Sequence, residues 1–336
     1  MTHPIDIAVI GATGTVGETL VQILEERNFP VGTLYLLASN ESAGSAVTFR
    51  GKNLRTRDVD DFDFAKVRLA FFAAGPAVTL SFAPRAQAAG CTVIDLSGAL
   101  PAEQAPAVVP EVNPQVLASL KTPATLHSPS AAAVALAVVL APLKSLLTLE
   151  RVNVTACLAV SAQGREAVSE LARQTAELLN ARPLEPRFFD RQMAFNLLAQ
   201  VGTSDAQGHG LLERRLVREL RELLDLPLLK ISVTCVQVPV FFGDSYTVSL
   251  TASEAVDLAA VNAALEAAES VELVEEGDYP TPVGDAVGQD VVYAGRVRGG
   301  IDEVQQLNLW LTTDNVRKGA GLNAVQLAEL LIKDFA

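Results

Sequence analysis

The sequence predicts an α/β protein of two domains, the first with a parallel sheet and the second with a mixed one. Three observations carry this. The chain opens on a strand, a glycine-rich turn and an amphipathic helix, and short apolar runs then alternate with helical stretches to roughly residue 130. From Leu149 the texture changes to longer strands of alternating polarity, which favours a mixed or antiparallel sheet with one face on helices. At 336 residues the length suits two domains of ~150 residues.

The first strand is expected at Ile5 to Ile10, followed by Gly11-Ala-Thr-Gly14-Thr-Val-Gly17 and a helix whose Val16, Leu20, Ile23 and Leu24 keep helical spacing. Further strands are expected at Thr33 to Ala38, Arg68 to Ala73 and Thr92 to Leu96, with helical material between them. The Ala-rich stretch 131–141 reads as a buried helix. Strands follow at Leu149 to Val160, Lys230 to Val240 and Ser245 to Thr251. Helices are expected at Arg165 to Asn180, Leu211 to Leu224 and Ala255 to Ala268. A last amphipathic helix, Val316 to Phe335, is expected to pack back on the first domain.

Apolar residues make up 49% and charged residues 19%, the composition of a globular chain rather than a disordered or collagenous one. The net charge of −13 repels phosphodiester backbones, so nucleic acid is not expected as a partner. Cys91, Cys157 and Cys235 are far apart, which gives neither a disulfide framework nor a thiolate metal site and suits a cytoplasmic location. No metal is expected, because the 3 histidines are also scattered. The longest apolar stretch, Ala131 to Leu143, contains Pro142 and is too short to span ~30 Å of hydrocarbon, so no membrane segment is expected. MTHPID has no basic run ahead of its apolar stretch, so no signal peptide is expected.

The glycine run follows a strand and opens a helix, the context in which bare backbone N–H groups approach a pyrophosphate at a helix N-terminus. Dinucleotide binding is therefore expected; a tight turn that needs glycine dihedrals is the plainer explanation of the same run. An NAD-type site adds an acid after the second strand to bond the ribose hydroxyls. Here Ser39-Asn40-Glu41 ends that strand, with Glu41 24 residues beyond Gly17.

GATGTVG, LLASNESAGS at 36–45, FFAAG at 71–75, VVPEVNP at 108–114, AFNLLAQVG at 194–202, TPVGDAVGQDVVYAGRVR at 281–298 and DNVRKGAGLNAVQLAE at 314–329 together resemble aspartate-semialdehyde dehydrogenase. The resemblance spans essentially the whole chain. It implies a Rossmann-type dinucleotide-binding domain formed by 1–128 plus 316–336, a central α/β dimerisation domain at 129–315, a homodimer, and reductive dephosphorylation of aspartyl phosphate with NADPH. That chemistry is covalent, with a cysteine thiolate as nucleophile.

Residue by residue, the resemblance exposes losses. The nucleophile's Asn-Pro-Asn-Cys-Ser-Thr stretch corresponds to Ser128, Pro129, Ser130, Ala131, Ala132 and Ala133, so the nucleophile position is Ala131. The general-base His falls on Asp244, a poor base at an ordinary carboxylate pKa near ~3.9. The orienting glutamine falls on Leu158, although Gln163 lies five residues on. The substrate-carboxylate arginine falls on Gln237 and the phosphate-binding arginine near Pro101. Glu219 matches a substrate-contacting carboxylate, but its charged helix face suggests a solvated side chain. Two missing charged partners at ~1.5–3 kcal/mol each leave substrate binding weaker by about 10² to 10⁴. Loss of the nucleophile costs turnover about 10⁴ to 10⁶.

No substitute nucleophile is expected: the three cysteines read as packed core, Ser130 suits a helix cap, and His209 reads as a loop residue. The cofactor elements Gly11, Thr13, Gly14, Thr15, Val16, Ser39, Ala74, Gly75 and Asn315 are in place. The family's 2′-phosphate arginine position is Glu41 and its lysine position is Ser45, so NAD is expected ahead of NADP. Three readings follow: a homologue that has lost catalysis and acts by binding nucleotide or a partner, an oxidoreductase that transfers hydride directly to a different aldehyde or oxo substrate, and a dimeric scaffold that holds no nucleotide.

Overall fold

The computed structural model describes residues 3–335. The chain forms two compact units, Met1–Ser130 with Ala320–Ala336, and Ala131–Gly319.

The N-terminal unit holds a six-stranded sheet in the order Arg57–Asp58, Val31–Ala38, Ile5–Ile10, Leu69–Phe72, Thr92–Asp95, Thr125–His127, and every pairing in it is parallel. A parallel sheet is covered on both faces, which is why IDIAVI and LAFF read as apolar runs without alternation. Ile7, Val9, Leu36 and Phe71 pack on one face with Leu20 and Leu24 of helix Thr15–Glu26. Ala8, Ile10, Leu37 and Phe72 pack on the other with Ala83 and Ala86 of helix Pro76–Ala88. The second strand begins at Val31, two residues before the expected start, because Val31 already pairs with Ile5. The chain order reverses on either side of Ile5–Ile10, so the carboxyl end of that strand is the switch point where ligands bind in open α/β sheets.

The expected terminal helix is broken into three pieces. A π-turn covers Arg317–Leu322, an α-helix Asn323–Leu331, and a 3-10 turn Ile332–Phe335. Gly319 and Gly321 lie in the π-turn, and the Asp314 carboxylate fixes its start by accepting from the N–H groups of Val316 and Arg317 at 3.0 and 2.8 Å. Leu322, Val325, Leu327 and Leu331 then join the core of the N-terminal unit.

The second unit carries a mixed sheet in the order Lys230–Gln237, Leu149–Leu158, Asp244–Ala252, Gln306–Thr313, Val292–Gly299, Val271–Leu273. The first and last pairings are parallel and the three between them antiparallel. Val152, Val154, Ala156 and Leu158 alternate inward as the strand pattern requires. Helices Ala131–Lys144, Leu211–Leu223 and Leu258–Glu266 pack in the same unit, and the first is buried at every position from Ala132 to Leu140. The third begins at Leu258 rather than Ala255, because the Asp257 carboxylate caps the N–H groups of Ala259 and Ala260. The sheet's other face is polar: Asn153, Thr155, Ser232, Thr234, Thr247, Ser249 and Asn308 line a groove of about 410 Å³ with Trp310. Among the described residues no helix is long and apolar enough to cross a membrane.

Candidate functional site

In the N-terminal unit the three glycines have different reasons. Gly11 has φ +82°, and a Cβ there would lie 2.6 Å from the Ala73 carbonyl oxygen. One on Gly17 would lie 2.1 Å from the Gly11 oxygen. Packing alone therefore excludes a side chain at both positions. Gly14 meets only the Gly11 oxygen, at 3.3 Å, so its bareness is the one least demanded by the turn itself. It caps helix Thr15–Glu26, whose first N–H groups have no partner within the helix and whose dipole favours an anion. Thr13, Thr15 and Val16 are half-buried around this turn. Ala74 and Gly75 lead into helix Pro76–Ala88 from the neighbouring strand end. Ser39 and Glu41 lie at the end of the second strand, both exposed, in and beside a short 3-10 turn Asn40–Ser42.

In the second unit Ala131 is the first residue of its helix, and a Cβ placed on Gly319 would meet the Ala131 Cβ at 2.5 Å. Ala131, the position expected for the nucleophile, is thus a methyl packed closely against glycine backbone. Leu158 is buried, and its carbonyl accepts from Gln237 Nε2 at 2.6 Å. Gln237 Oε1 in turn accepts from Gln163 Nε2 at 2.5 Å. Gln237 is fully buried with both amide ends occupied, so it is a structural cross-link. Gln163 and Gln237 line a cavity of about 680 Å³ with Phe188, Phe189, Leu198 and Gln200. Its charged lining residues, Asp190 and Arg191, pair with each other at 2.7 Å.

Asp244 departs from expectation most. It is buried, accepts from the Ala159 N–H at 2.8 Å and from the Tyr246 hydroxyl at 3.1 Å, and lies near the Asp314 charge. Burial above all pushes its pKa up to about 7, with Asp314 adding to the shift. Its proton affinity is therefore that of an imidazole, not the ordinary carboxylate value the sequence suggests. Tyr246, two residues on and on the same strand face, has no motif that marks it in the sequence beyond the period of two in DSYTVSL.

Glu219 is likewise not solvated: it is 1% exposed and takes Arg215 Nε at 2.6 Å. Asn315 is buried, and its Oδ1 accepts from the Gly243 N–H at 3.0 Å while its Nδ2 donates to the Ser161 hydroxyl at 3.0 Å. The sequence reading also overlooked Glu213, which accepts from the N–H groups of Gly210 and Cys235 and ties helix Leu211–Leu223 to the strand that carries Gln237. Its spacing after Gly210 is the signal of a capping box.

None of the cysteines offers a thiolate at neutral pH. Burial pushes Cys91 up to about 11 and Cys235 up to about 12, and burial with the Asp244 charge raises Cys157. Cys157 is only half-buried, on the polar sheet face, rather than in the core. Ser128 accepts from Asn323 Nδ2 at 2.8 Å, and His127 Nδ1 lies 3.1 Å from the Asp95 carbonyl oxygen. Among the described residues no group of three or more His, Cys, Asp or Glu could hold a metal ion.

Residues 6–120 match the family profile described as the semialdehyde dehydrogenase NAD binding domain, and 140–318 the semialdehyde dehydrogenase dimerisation domain. A USG-1 protein homolog from Azotobacter vinelandii is 62% identical over 99% of both chains. The solved structure of a probable aspartate-semialdehyde dehydrogenase from Pseudomonas aeruginosa superposes with a TM-score of 0.97 at 58% identity, covering 99% of this chain and 100% of that one. Aspartate semialdehyde dehydrogenase II from Vibrio cholerae, solved in complex with ASA, gives 0.96 at 40% identity over 99% and 100%.

Proposed function

This chain belongs to the semialdehyde dehydrogenase family, and from that premise we propose that it is a member that has given up the covalent reaction and acts as a dinucleotide-binding homodimer. The observation that carries the reading is Ala131. A methyl group cannot attack a carbonyl, and no described cysteine has a proton affinity low enough to replace it. The internally satisfied Gln237 and the self-neutralised Asp190–Arg191 pair support it, since neither presents a spare cation to an anionic substrate. The glycine turn supports retention of the nucleotide, and Glu41 favours NAD over NADP. The site positions Gly11, Thr13, Gly14, Thr15, Val16, Ser39, Glu41, Ala74, Gly75 and Asn315 are assigned to the cofactor on the family resemblance. The domain division at 129 and 315, and a cytoplasmic location, are part of the same reading.

The test is reduced-nucleotide formation from aspartate semialdehyde plus phosphate, followed with NADP and with NAD, beside calorimetric titration of both cofactors. Nucleotide binding without turnover is expected. Robust turnover by the unmodified protein would overturn the reading.

One observation favours a second reading, direct hydride transfer to a different aldehyde or oxo group: Asp244 has its pKa at about 7, where an acid–base group works best. Substrate-dependent NADH consumption that Asp244→Asn abolishes would select this alternative.

A further inference from the structure

The turn after the second strand of the N-terminal unit is where a Rossmann site meets the adenosine ribose. In this chain that turn is stitched to the edge strand beside it. The buried Thr56 accepts from the Gly44 N–H at 3.0 Å through its carbonyl and donates its own N–H to the Ser45 carbonyl at 2.9 Å. Its hydroxyl donates to the Ser42 carbonyl at 2.9 Å, and Arg55 Nη1 donates to the Gly44 carbonyl at 2.7 Å. Asp58 completes the set: its Oδ2 accepts from Asn40 Nδ2 at 3.0 Å, and its Oδ1 accepts from the Asp60 N–H at 3.0 Å.

Register places Asp58 directly beside Ala38, the last residue of the second strand. Its carboxylate is therefore held at the strand end rather than left free to turn away, and it lies on the sheet face opposite to its neighbour Arg57, which sits over the Tyr35 ring at 5.3 Å. Arg55, which ends the preceding strand Lys52–Arg55, is engaged with Gly44. The ribose end of the site thus carries two carboxylates, Glu41 on the turn and Asp58 beneath it.

We infer that Asp58 is a second determinant of nucleotide choice in this chain, positioning the ribose-binding turn through Asn40 and opposing a 2′-phosphate with its charge. The inference rests on the reading of this unit as a dinucleotide site. Two variants separate its parts. Asp58→Asn removes the charge but keeps one acceptor oxygen for the Asp60 N–H and an amide NH2 that a flipped Asn40 side chain accepts, whereas Asp58→Ala removes the charge and both bonds.

The experiment is calorimetric titration of the full chain with NADH and NADPH at low ionic strength. The unmodified protein should prefer NADH. Asp58→Asn should tighten NADPH about 3- to 10-fold, as expected for one screened charge at close range, and leave NADH within about twofold. Asp58→Ala should in addition weaken NADH about 3- to 10-fold, because the turn loses its anchor. Tight NADH binding insensitive to both variants would overturn the inference and leave the dinucleotide reading standing. A preference of the unmodified protein for NADPH would overturn it as well. Binding of neither cofactor would overturn the dinucleotide reading and the inference with it.

Discussion

The Ala159 N–H donates to Oδ1 of Asp244 across 2.8 Å, joining the residue after strand Leu149–Leu158 to the first residue of strand Asp244–Ala252. On one side of this bond lies Leu158, whose carbonyl takes Gln237. On the other lies the 3-10 turn Val160–Gln163, whose last residue also bonds Gln237. Asp244, where the resemblance expects an imidazole, is thus built into the scaffold that also carries Gln163 and Gln237. Ionised, it is held by two hydrogen bonds but lies in a dry place near Asp314, which is why its pKa rises to about 7.

The pH dependence of stability follows from that shift. The folded pKa of Asp244, about 7, lies above the unfolded ~3.9, so between these values the folded state binds more protons and stability falls as pH rises. Asp244→Asn should flatten this slope and make the protein more stable than the unmodified chain at pH 8 by on the order of 2–4 kcal/mol. Urea denaturation at about pH 5 and 8 measures it. Equal slopes for both proteins would remove Asp244 from the account.

Restoring the thiol alone should not restore the family reaction. In Ala131→Cys the new sulfur has a carboxylate, Asp244, where the resemblance places an imidazole, which raises rather than lowers a thiol pKa, and no cation at Gln237 holds an anionic substrate at attack distance. Adding Asp244→His and Gln237→Arg should do more than any single change, with Leu158 and Pro101 as remaining limits. Phosphate-dependent NADPH and NADH formation from aspartate semialdehyde checks both statements, and full activity of the single variant would contradict them.

Cofactor preference should respond to Glu41. Its exposed carboxylate occupies the position where the resemblance places a 2′-phosphate arginine, so the unmodified protein should bind NADH more tightly than NADPH. Glu41→Arg should reverse the order, since a guanidinium presents paired donors to a phosphate. Titration of both proteins with both cofactors decides it, and a variant that still prefers NADH would sink the role given to Glu41.

A homodimer is expected through the second unit, whose residues 140–318 match a dimerisation domain. The groove-bearing sheet face is polar, so the interface it suits is one of hydrogen bonds from Thr, Ser and Asn around Trp310. Light scattering at micromolar concentration should give twice the chain mass of 35.5 kDa. A monomeric mass refutes this.

The parallel sheet was legible because its signals are local. IDIAVI, the glycine turn and the spacing of Leu20, Ile23 and Leu24 sit within one strand, turn and helix of each other. The ends of elements were less so. The C-terminal helix starts only after the π-turn that holds Gly319 and Gly321, where the Asp314 carboxylate takes the N–H groups of Val316 and Arg317 and a side chain on Gly319 would meet Ala131, far away in the chain. Helix Leu258–Glu266 starts late because Asp257 caps it, a signal that Asp257 carries in the sequence itself.

By itself the sequence determined which groups stand at the positions the resemblance points to. No arrangement of backbone gives Ala131 a thiol or Gln237 a guanidinium, so that part of the proposed reading rests on residue type alone. The tertiary structure decided what the retained charges are. Asp244 reads as a strong acid in GDSYT and becomes a group titrating near neutrality, and Glu219 reads as solvated on its helix and is buried against Arg215. The physical reason is that a carboxyl's proton affinity and hydration depend on the solvent and charge around it. For Asp244 these are set by Ala159 and Asp314, some 70 to 85 positions away in sequence, which meet it only when the sheet forms.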